Sequence, residues 1–215
     1  MSQTPDFDAV VLAGGGAVRL GGVSKPDVEI GGRRLVDGAL VAVSDAREIV
    51  VVGDVSVPEG VHRTLEDPPR GGPVAGTAAG IDALAATGSI APWTVLLACD
   101  LADPLPALGR LLAAWSYAQR AEEVPTDEHD GWCLTDPTGE PQWLVGIHRT
   151  DSLRRALERL ASPRDQSVRA LFAESTLVTV GATDDDVADI DTWTDHARWV
   201  ERLTADDTPA EDSRE

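Results

Sequence analysis

The sequence predicts an α/β fold, a single doubly wound domain in which helices cover both faces of a mostly parallel sheet. Two observations support this prediction. Short apolar, β-rich runs alternate along the chain with stretches of helical periodicity, a pattern typical of strands connected by helices. The runs at 9–14, 48–53 and 93–99 are apolar at nearly every position, which indicates strands buried on both faces.

The other predicted elements follow these strands in order. Helices are predicted at 35–45, 73–87, 105–120, 150–161, 165–174 and 192–203, and further strands at 61–65, 132–136, 142–148 and 175–180. No repeat or linker divides the chain, so residues 1–203 are predicted to form one domain. Residues 204–215 are acidic and lack apolar periodicity, which predicts a disordered tail.

Composition excludes several classes of function. A formal net charge of −19 over 215 residues opposes binding to nucleic acid, whose phosphates require a basic surface. No apolar run approaches the roughly 20 residues that span a bilayer, and the acidic start is unlike a signal peptide. We therefore expect a cytoplasmic protein in which Cys99 and Cys133 are reduced thiols. The four histidines show no metal-binding spacing.

A glycine-rich loop follows the first strand and contains the only lysine of the chain. Gly14, Gly15 and Gly16 end the strand, and Arg19 and Lys25 follow, whereas all other basic residues are arginines. Glycine N–H groups can approach phosphate oxygens closely, and a lysine supplies a compact point charge. The spacing matches neither G-x-x-x-x-G-K-[ST] nor G-x-G-x-x-G. The pattern favours phosphate binding, although the glycines alone are also compatible with a structural turn.

Acidic residues are predicted near the same edge of the sheet. Asp100 follows the strand at 93–99 and could be a magnesium ligand or a helix N-cap. Asp189 and Asp191 alternate with Ile190, so in extended chain both would point to one face. Capping of the helix at 192–203, with Thr192 as the N-cap, is the alternative interpretation of this segment.

Five segments resemble, in order, the motifs of the MobA-type nucleotidyltransferases, and most of all the molybdenum cofactor guanylyltransferases in an actinobacterial-like form. They are LAGGGAVRLGGVSKP (12–26), EDPPRGGPVAGTAAGIDAL (66–84), VLLACDLADPLPALGRLL (95–112), GEPQWLVGIHRTDSLRRAL (139–157) and DIDTWTDHARW (189–199). Ala17 and Ser24 replace the family's serine and acidic residue, the proline after Cys-Asp is displaced to Pro104, and DIDT replaces the asparagine motif.

The resemblance implies a Rossmann-like nucleotide-diphospho-sugar transferase fold and a transferase that uses Mg²⁺. It would join a nucleoside monophosphate, GMP from GTP, to the phosphate of the molybdopterin cofactor and release pyrophosphate. Its partners would be a nucleoside triphosphate, a phosphorylated pterin and, transiently, other molybdenum-cofactor proteins. Open alternatives are CTP or another phosphorylated acceptor, and a catalytically weak nucleotide-binding homologue.

The resemblance also implies roles for individual residues. Arg19, Lys25 and Asp100 would be catalytic, and Asp100 and Asp191 would bind the metal. The nucleotide would contact Leu12, Ala13, Gly14, Gly15, Gly16, Lys25, Asp67, Gly72 and Asp100. Asp67 and Gly72 could instead form a proline-stiffened turn. Gln142, Trp143 and Arg149 would face the acceptor, although Trp143 could equally be a core residue.

Overall fold

The computed structural model describes residues 6–14, 24–88, 90–121 and 128–206. The strands are β1 (Phe7–Leu12), β2 (Glu29–Ile30), β3 (Arg33–Arg34), β4 (Ile49–Val52), β5 (His62–Thr64), β6 (Trp93–Ala98), β7 (Gly131–Thr135), β8 (Pro141–Arg149) and β9 (Leu177–Gly181). The helices are α1 (Leu35–Ala42), α2 (Pro73–Ala86), α3 (Pro104–Ala121), α4 (Thr150–Glu158), α5 (Val168–Leu171) and α6 (Trp193–Asp206).

The main sheet has seven strands in the order β5-β4-β1-β6-β8-β7-β9. All neighbouring strands are parallel except β8, which runs antiparallel to both β6 and β7. The chain leaves β1 towards β4 on one side and later returns to β6 on the other. The crevice between β1 and β6 is therefore the topological switch point, where open α/β sheets bind ligands.

Helices cover both faces of this sheet, as the sequence predicts. On one face Val11 of β1 is buried in a cluster with Val36 of α1 and Leu111 of α3. On the other face Val10 lies in a cluster with residues of α2, α4 and α5. Because successive residues of β1 face opposite layers, the strand must be apolar at nearly every position.

A small third cluster attaches the β2–β3 hairpin to α6. It contains Val28, Ile30, Leu35, Ile190 and Trp199, all nearly inaccessible to solvent. This hairpin was not evident from the sequence, since two-residue strands are too short to show an alternating pattern. The cluster brings two segments of the chain that are distant in sequence to the carboxyl edge of the main sheet.

Most predicted elements are confirmed, with differences at their ends. The helix predicted at 165–174 is limited to Val168–Leu171, and the one predicted at 150–161 ends at Glu158. Helix α6 continues to Asp206, past the predicted domain end at 203, and residues 207–215 lie outside the described part of the chain. None of the described helices is long and apolar enough to span a membrane. Cys99 and Cys133 are buried and not disulfide-bonded.

Candidate active site

The candidate site lies where β1 and β6 end side by side. Leu12 pairs with Ala98 in parallel register, and the N–H of Cys99 donates to the carbonyl of Leu12 at 3.1 Å. These backbone bonds fix the positions at which the two strands end. Gly14 and Asp100, each two residues beyond its strand, therefore leave the sheet at the same edge.

A segment just before α6 is bonded to the chain that follows β6. The N–H of Ala102 donates to the carbonyl of Ala188 at 2.9 Å, and that of Ile190 donates to the carbonyl of Asp100 at 3.0 Å. Ile190 is completely buried. Because side chains alternate in extended chain, burial of Ile190 turns Asp189 and Asp191 to the opposite side.

Three carboxylates and one ammonium meet at this edge. One carboxylate oxygen from each of Asp100, Asp189 and Asp191 lies within 4.8 Å of the other two. The Nζ of Lys25 donates to Oδ2 of Asp100 at 2.9 Å and to Oδ1 of Asp191 at 2.6 Å. We call these four residues the carboxylate cluster.

Lys25 is the first residue of a short 3-10 turn, Lys25–Asp27, which contains the buried Pro26. The turn is closed by the N–H of Val28, which donates to the carbonyl of Lys25 at 3.1 Å. Val28 in turn belongs to the same small core as Ile190. Burial of Val28 and Ile190 in one core therefore sets where the lysine meets the aspartates.

The charges of the cluster shift two pKa values. Burial by itself lowers the pKa of Lys25, but the Asp100 and Asp191 carboxylates outweigh it and raise that pKa above its ordinary value. Burial, and next the charge of Asp100, raise the pKa of Asp189. Lys25 is therefore a cation at neutral pH, and its charge offsets the repulsion among the aspartates.

Neither Asp100 nor Asp191 is needed as a helix cap. Helix α3 begins at Pro104, four residues beyond Asp100. At the start of α6, Thr192 is the N-cap, the interpretation that the sequence offered as an alternative. Its Oγ1 accepts from the N–H of Asp195 at 3.2 Å, and the Asp195 carboxylate accepts from the N–H of Thr192 at 2.9 Å. This reciprocal capping box leaves the Asp191 carboxylate to contact Lys25.

The donor set of the cluster fits a hard divalent cation. Magnesium and manganese prefer carboxylate, water and phosphate oxygens, and the cluster offers carboxylates from two segments that are bonded to each other. Asp100 and Asp191 have partly exposed side chains, 32% and 48%. Solvent and a phosphate-bearing ligand could therefore reach the same oxygens.

A second loop follows β5 at the carboxyl edge of the sheet. The Oε1 of Glu66 accepts hydrogen bonds from the N–H groups of Arg70 at 2.8 Å and Gly71 at 3.2 Å. The loop ends at Gly72, the N-cap of α2, whose φ of +87° is in the left-handed region that favours glycine. Asp67 is exposed within it. We call residues 66–72 the β5–α2 loop.

A cavity of about 390 Å³ opens next to the cluster. It lies between the β2–β3 hairpin, α1 and the start of α3, and its lining includes Leu101, the residue after Asp100. Arg33 and Asp103 contribute charged side chains to its lining, and Val41 and Leu105 contribute exposed apolar ones.

A family model for the MobA-like NTP transferase domain matches residues 9–180, which includes residues 9–12 of β1, the β5–α2 loop and Asp100. The chain belongs to this family. The family resemblance predicted from the sequence is thereby confirmed, and the chain is a member of a nucleotidyltransferase family.

The chain is also similar to an individual curated protein. The chain is 39% identical over 106 residues to a molybdenum cofactor guanylyltransferase from Rhodopseudomonas palustris, an alignment that covers 46% of this chain and 50% of the relative. The chain therefore aligns with about half the length of this curated relative.

Solved structures share the fold. The molybdopterin-guanine dinucleotide biosynthesis protein A of Archaeoglobus fulgidus superposes with a TM-score of 0.63 at 17% identity, covering 92% of this chain and 99% of that one. A Mycobacterium tuberculosis protein in complex with manganese gives 0.62 at 16% identity, covering 93% and 100%. At these identities the likeness shows the fold alone.

The structure places the predicted site residues of this MobA-like chain in two groups. Leu12, Ala13 and Gly14 end β1 beside the carboxylate cluster, which itself includes Lys25, Asp100 and Asp191. Asp67 and Gly72 lie in the β5–α2 loop, which follows β5. In the sheet, β4 lies between β5 and β1. Gly15, Gly16 and Arg19 lie outside the described residues.

The predicted acceptor residues do not lie together. Strand β8 is antiparallel to β6 and pairs Arg149 with Trp93, at the start of β6. Gln142 and Trp143 are therefore near the site edge, whereas Arg149 is at the opposite edge, with its guanidinium 4.8 Å from the Trp93 ring centroid. The expectation that Arg149 faces the acceptor is wrong. Trp143 is a partly buried member of the core beneath α2 and α4.

Two residues of the site were not assigned from the sequence. Asp189 was recognised as alternating with Asp191 but was not predicted to be a ligand, and the structure brings it into the carboxylate cluster. Glu66, which shapes the β5–α2 loop through two hydrogen bonds, gave no sequence signal. Its role depends on how the loop folds back, which residue type alone does not reveal.

Proposed function

We propose that the protein transfers GMP from GTP to the phosphate of molybdopterin, with Mg²⁺ and release of pyrophosphate. The observation that carries the proposal is the carboxylate cluster, in which Lys25 lies between Asp100 and Asp191 at the carboxyl ends of β1 and β6. A cation and carboxylates beside a glycine-ended strand at a switch point suit a metal–triphosphate complex.

In this proposal the aspartates hold the metal. Asp100 and Asp191 bind it, as the family resemblance implies, and Asp189 completes the set because its carboxylate lies within 4.8 Å of theirs. When bound there, a divalent metal would neutralise charge on the phosphate oxygens of the triphosphate. The carboxylates would fix the position of this metal relative to the backbone of β1 and β6.

The contacts of Lys25 with the carboxylates suggest a role for it in binding the triphosphate. Its ammonium donates to the same carboxylates that would bind the cation, so the lysine and the metal compete for them. We propose that, once metal and triphosphate bind, Lys25 donates to a phosphate oxygen and neutralises charge that moves to the leaving pyrophosphate. A flexible point charge suits such a shift of partner better than a planar guanidinium does.

The nucleotide would lie across the end of β1 towards the β5–α2 loop. The backbone of Gly14, with Gly15 and Gly16 beyond it, would hold the phosphates together with Arg19, whereas Asp67 and Gly72 would contact ribose or base. Leu12 and Ala13 fix this strand end, since the N–H of Ala13 donates to the carbonyl of Val52 at 2.9 Å.

The reaction balances without a covalent enzyme intermediate. A phosphate oxygen of the acceptor attacks the α-phosphorus of GTP, a new P–O bond forms, and the bond to the β-phosphate oxygen breaks to release pyrophosphate. An acceptor phosphate is already ionised at neutral pH and needs no general base. Positioning of the reactants and neutralisation of charge can therefore account for the rate acceleration.

Pyrophosphate release tests this function. The protein is incubated with Mg²⁺, molybdopterin and GTP, CTP or ATP in turn, alongside Asp100→Asn and the control Asp103→Asn, whose residue lies outside the cluster. We expect release with GTP that requires molybdopterin and is lost in Asp100→Asn only. Release with CTP instead would change the nucleotide assignment. Nucleotide binding without release from any triphosphate would favour the catalytically weak homologue.

A further inference from the structure

The β5–α2 loop is held from outside by the segment that connects α4 to α5. The Nη1 of Arg164 donates to the carbonyl of Pro68 at 2.8 Å, across 96 positions of sequence. The N–H of Asp165 donates to the carbonyl of Gly71, also at 2.8 Å. Two consecutive residues of one segment thus bind two carbonyls of the loop.

Gly71 makes room for this contact. A Cβ at Gly71 would lie 3.2 Å from Nη1 of Arg164 and 2.7 Å from Cβ of Ala75. The second distance is shorter than non-bonded carbon atoms tolerate. Glycine therefore allows the loop to pack directly against Ala75 of α2 and close to the Arg164 side chain, and Asp165 has a φ of +58° where its N–H donates to the carbonyl of Gly71.

The opposite side of the loop is fixed by Glu66, whose carboxylate accepts from the N–H groups of Arg70 and Gly71. Arg70 has a φ of +64°, a conformation that non-glycine residues seldom adopt without support from their surroundings. Contacts from within and from outside therefore hold the loop in one shape, and Arg164 is the side chain that supplies the outer contact.

We propose that Arg164 is a positioning residue for nucleotide binding, which holds residues 67–72 in the shape that receives the base and ribose of the nucleoside triphosphate. This inference rests on the proposed function, because it takes the β5–α2 loop to contact the nucleotide. Arg164 acts through the loop, since its side chain contacts Pro68 and Asp165 rather than the residues of the carboxylate cluster. It therefore affects nucleotide affinity rather than turnover at saturation.

The test compares Arg164→Ala and Arg164→Lys with Arg159→Ala. Arg159 is a matched control because it is exposed to the same 40%, lies in the same part of the chain, and pairs with Glu174 at 3.3 Å instead of with the loop. We expect Arg164→Ala to raise the KM for GTP about tenfold, the size of one lost charge-assisted hydrogen bond, with kcat nearly unchanged. Lysine should restore part of the affinity, since its ammonium can also donate to the single carbonyl of Pro68.

Hydrogen exchange in peptides covering 66–72 separates the possible failures. We expect exchange to accelerate in Arg164→Ala and not in Arg159→Ala. Unchanged exchange, or a KM equal to that of Arg159→Ala, overturns the inference. A fall in kcat at constant KM overturns it as well. If exchange accelerates but the wild-type protein neither binds nor turns over a nucleotide, the proposed function fails, and with it the assignment of this loop to a nucleotide.

Discussion

The ammonium of Lys25 lies 2.6 Å from a carboxylate oxygen of Asp191, although the two residues are 166 positions apart. Neither reaches this position by local structure alone. Val28 follows the lysine turn, Ile190 precedes Asp191, and both are buried in the same small core with Trp199 of α6. The contact that defines the site is therefore a consequence of packing between the β2–β3 hairpin and the end of the chain.

Replacing Lys25 should separate metal binding from turnover. In Lys25→Ala the ammonium no longer occupies Asp100 and Asp191, so Mn²⁺ alone should bind more tightly than in wild type. The kcat/KM should nevertheless fall about ten- to a hundredfold, since a charge-assisted hydrogen bond to phosphate contributes roughly 1.5–3 kcal/mol. Lys25→Arg should also be impaired. Wild-type kcat/KM in Lys25→Arg would show that the site does not require a compact cation.

Asp189 should contribute to the metal requirement. Asp189→Asn keeps the shape of the side chain but removes one of three neighbouring carboxylates, so the Mg²⁺ concentration for half-maximal rate should rise about tenfold or more. Asp103→Asn, which lies outside the cluster, is the control. An unchanged Mg²⁺ dependence of the rate in Asp189→Asn would show that Asp189 is not a metal ligand and that only Asp100 and Asp191 bind the metal.

His148 should make stability depend on pH in the acid range. Its ring is buried and stacked on Phe172 at 4.7 Å. Burial lowers its pKa from 6.5 to about 4, against smaller opposite effects of the Trp143 backbone and the Asp130 carboxylate. The unfolded chain binds a proton near pH 6.5 and the folded chain does not, so the free energy of unfolding should fall as pH drops from 6.5 towards 4. The loss is at most about 3.5 kcal/mol, at roughly 1.4 kcal/mol per pKa unit.

Urea unfolding at pH 4.5, 5.5 and 7.5 measures this dependence. His148→Phe and His148→Gln should each flatten it, whatever their stability at pH 7.5, because neither side chain titrates. His62→Gln, at an exposed histidine of β5, is the control. Equal slopes for wild type and both His148 variants would assign the acid sensitivity to other groups.

The capping box at the start of α6 should stabilise the helix that follows Asp191. Thr192→Ala removes the Oγ1 that accepts from the N–H of Asp195, at a cost of about 1 kcal/mol. Thermal melts should show the loss relative to Thr194→Ala, an exposed threonine in the first turn of α6. Equal melting temperatures for the two variants would mean that α6 does not depend on this cap.

The sequence predicted what depends on local pattern. Buried strands are apolar at nearly every position, so β1, β4 and β6 were evident, and their shared edge followed from parallel order. Alternation around Ile190 placed Asp189 and Asp191 on one side. The direction of β8 was not evident, because an apolar run has the same pattern in either direction, and Arg149 was consequently assigned to the wrong edge. The contacts of Lys25 and Arg164 depend on packing between distant segments, which residue type and spacing do not encode.

A Mn²⁺ titration followed by electron paramagnetic resonance, in the presence of GTP, tests the central claim most directly. The claim is that Asp100 and Asp191, paired through Lys25, are the metal ligands of a nucleotidyltransferase site. Wild type and Asp103→Asn should bind Mn²⁺ with the same affinity. Asp100→Asn and Asp191→Asn should each bind it at least about tenfold more weakly, without loss of melting temperature. Undiminished Mn²⁺ affinity in both aspartate variants would contradict the account.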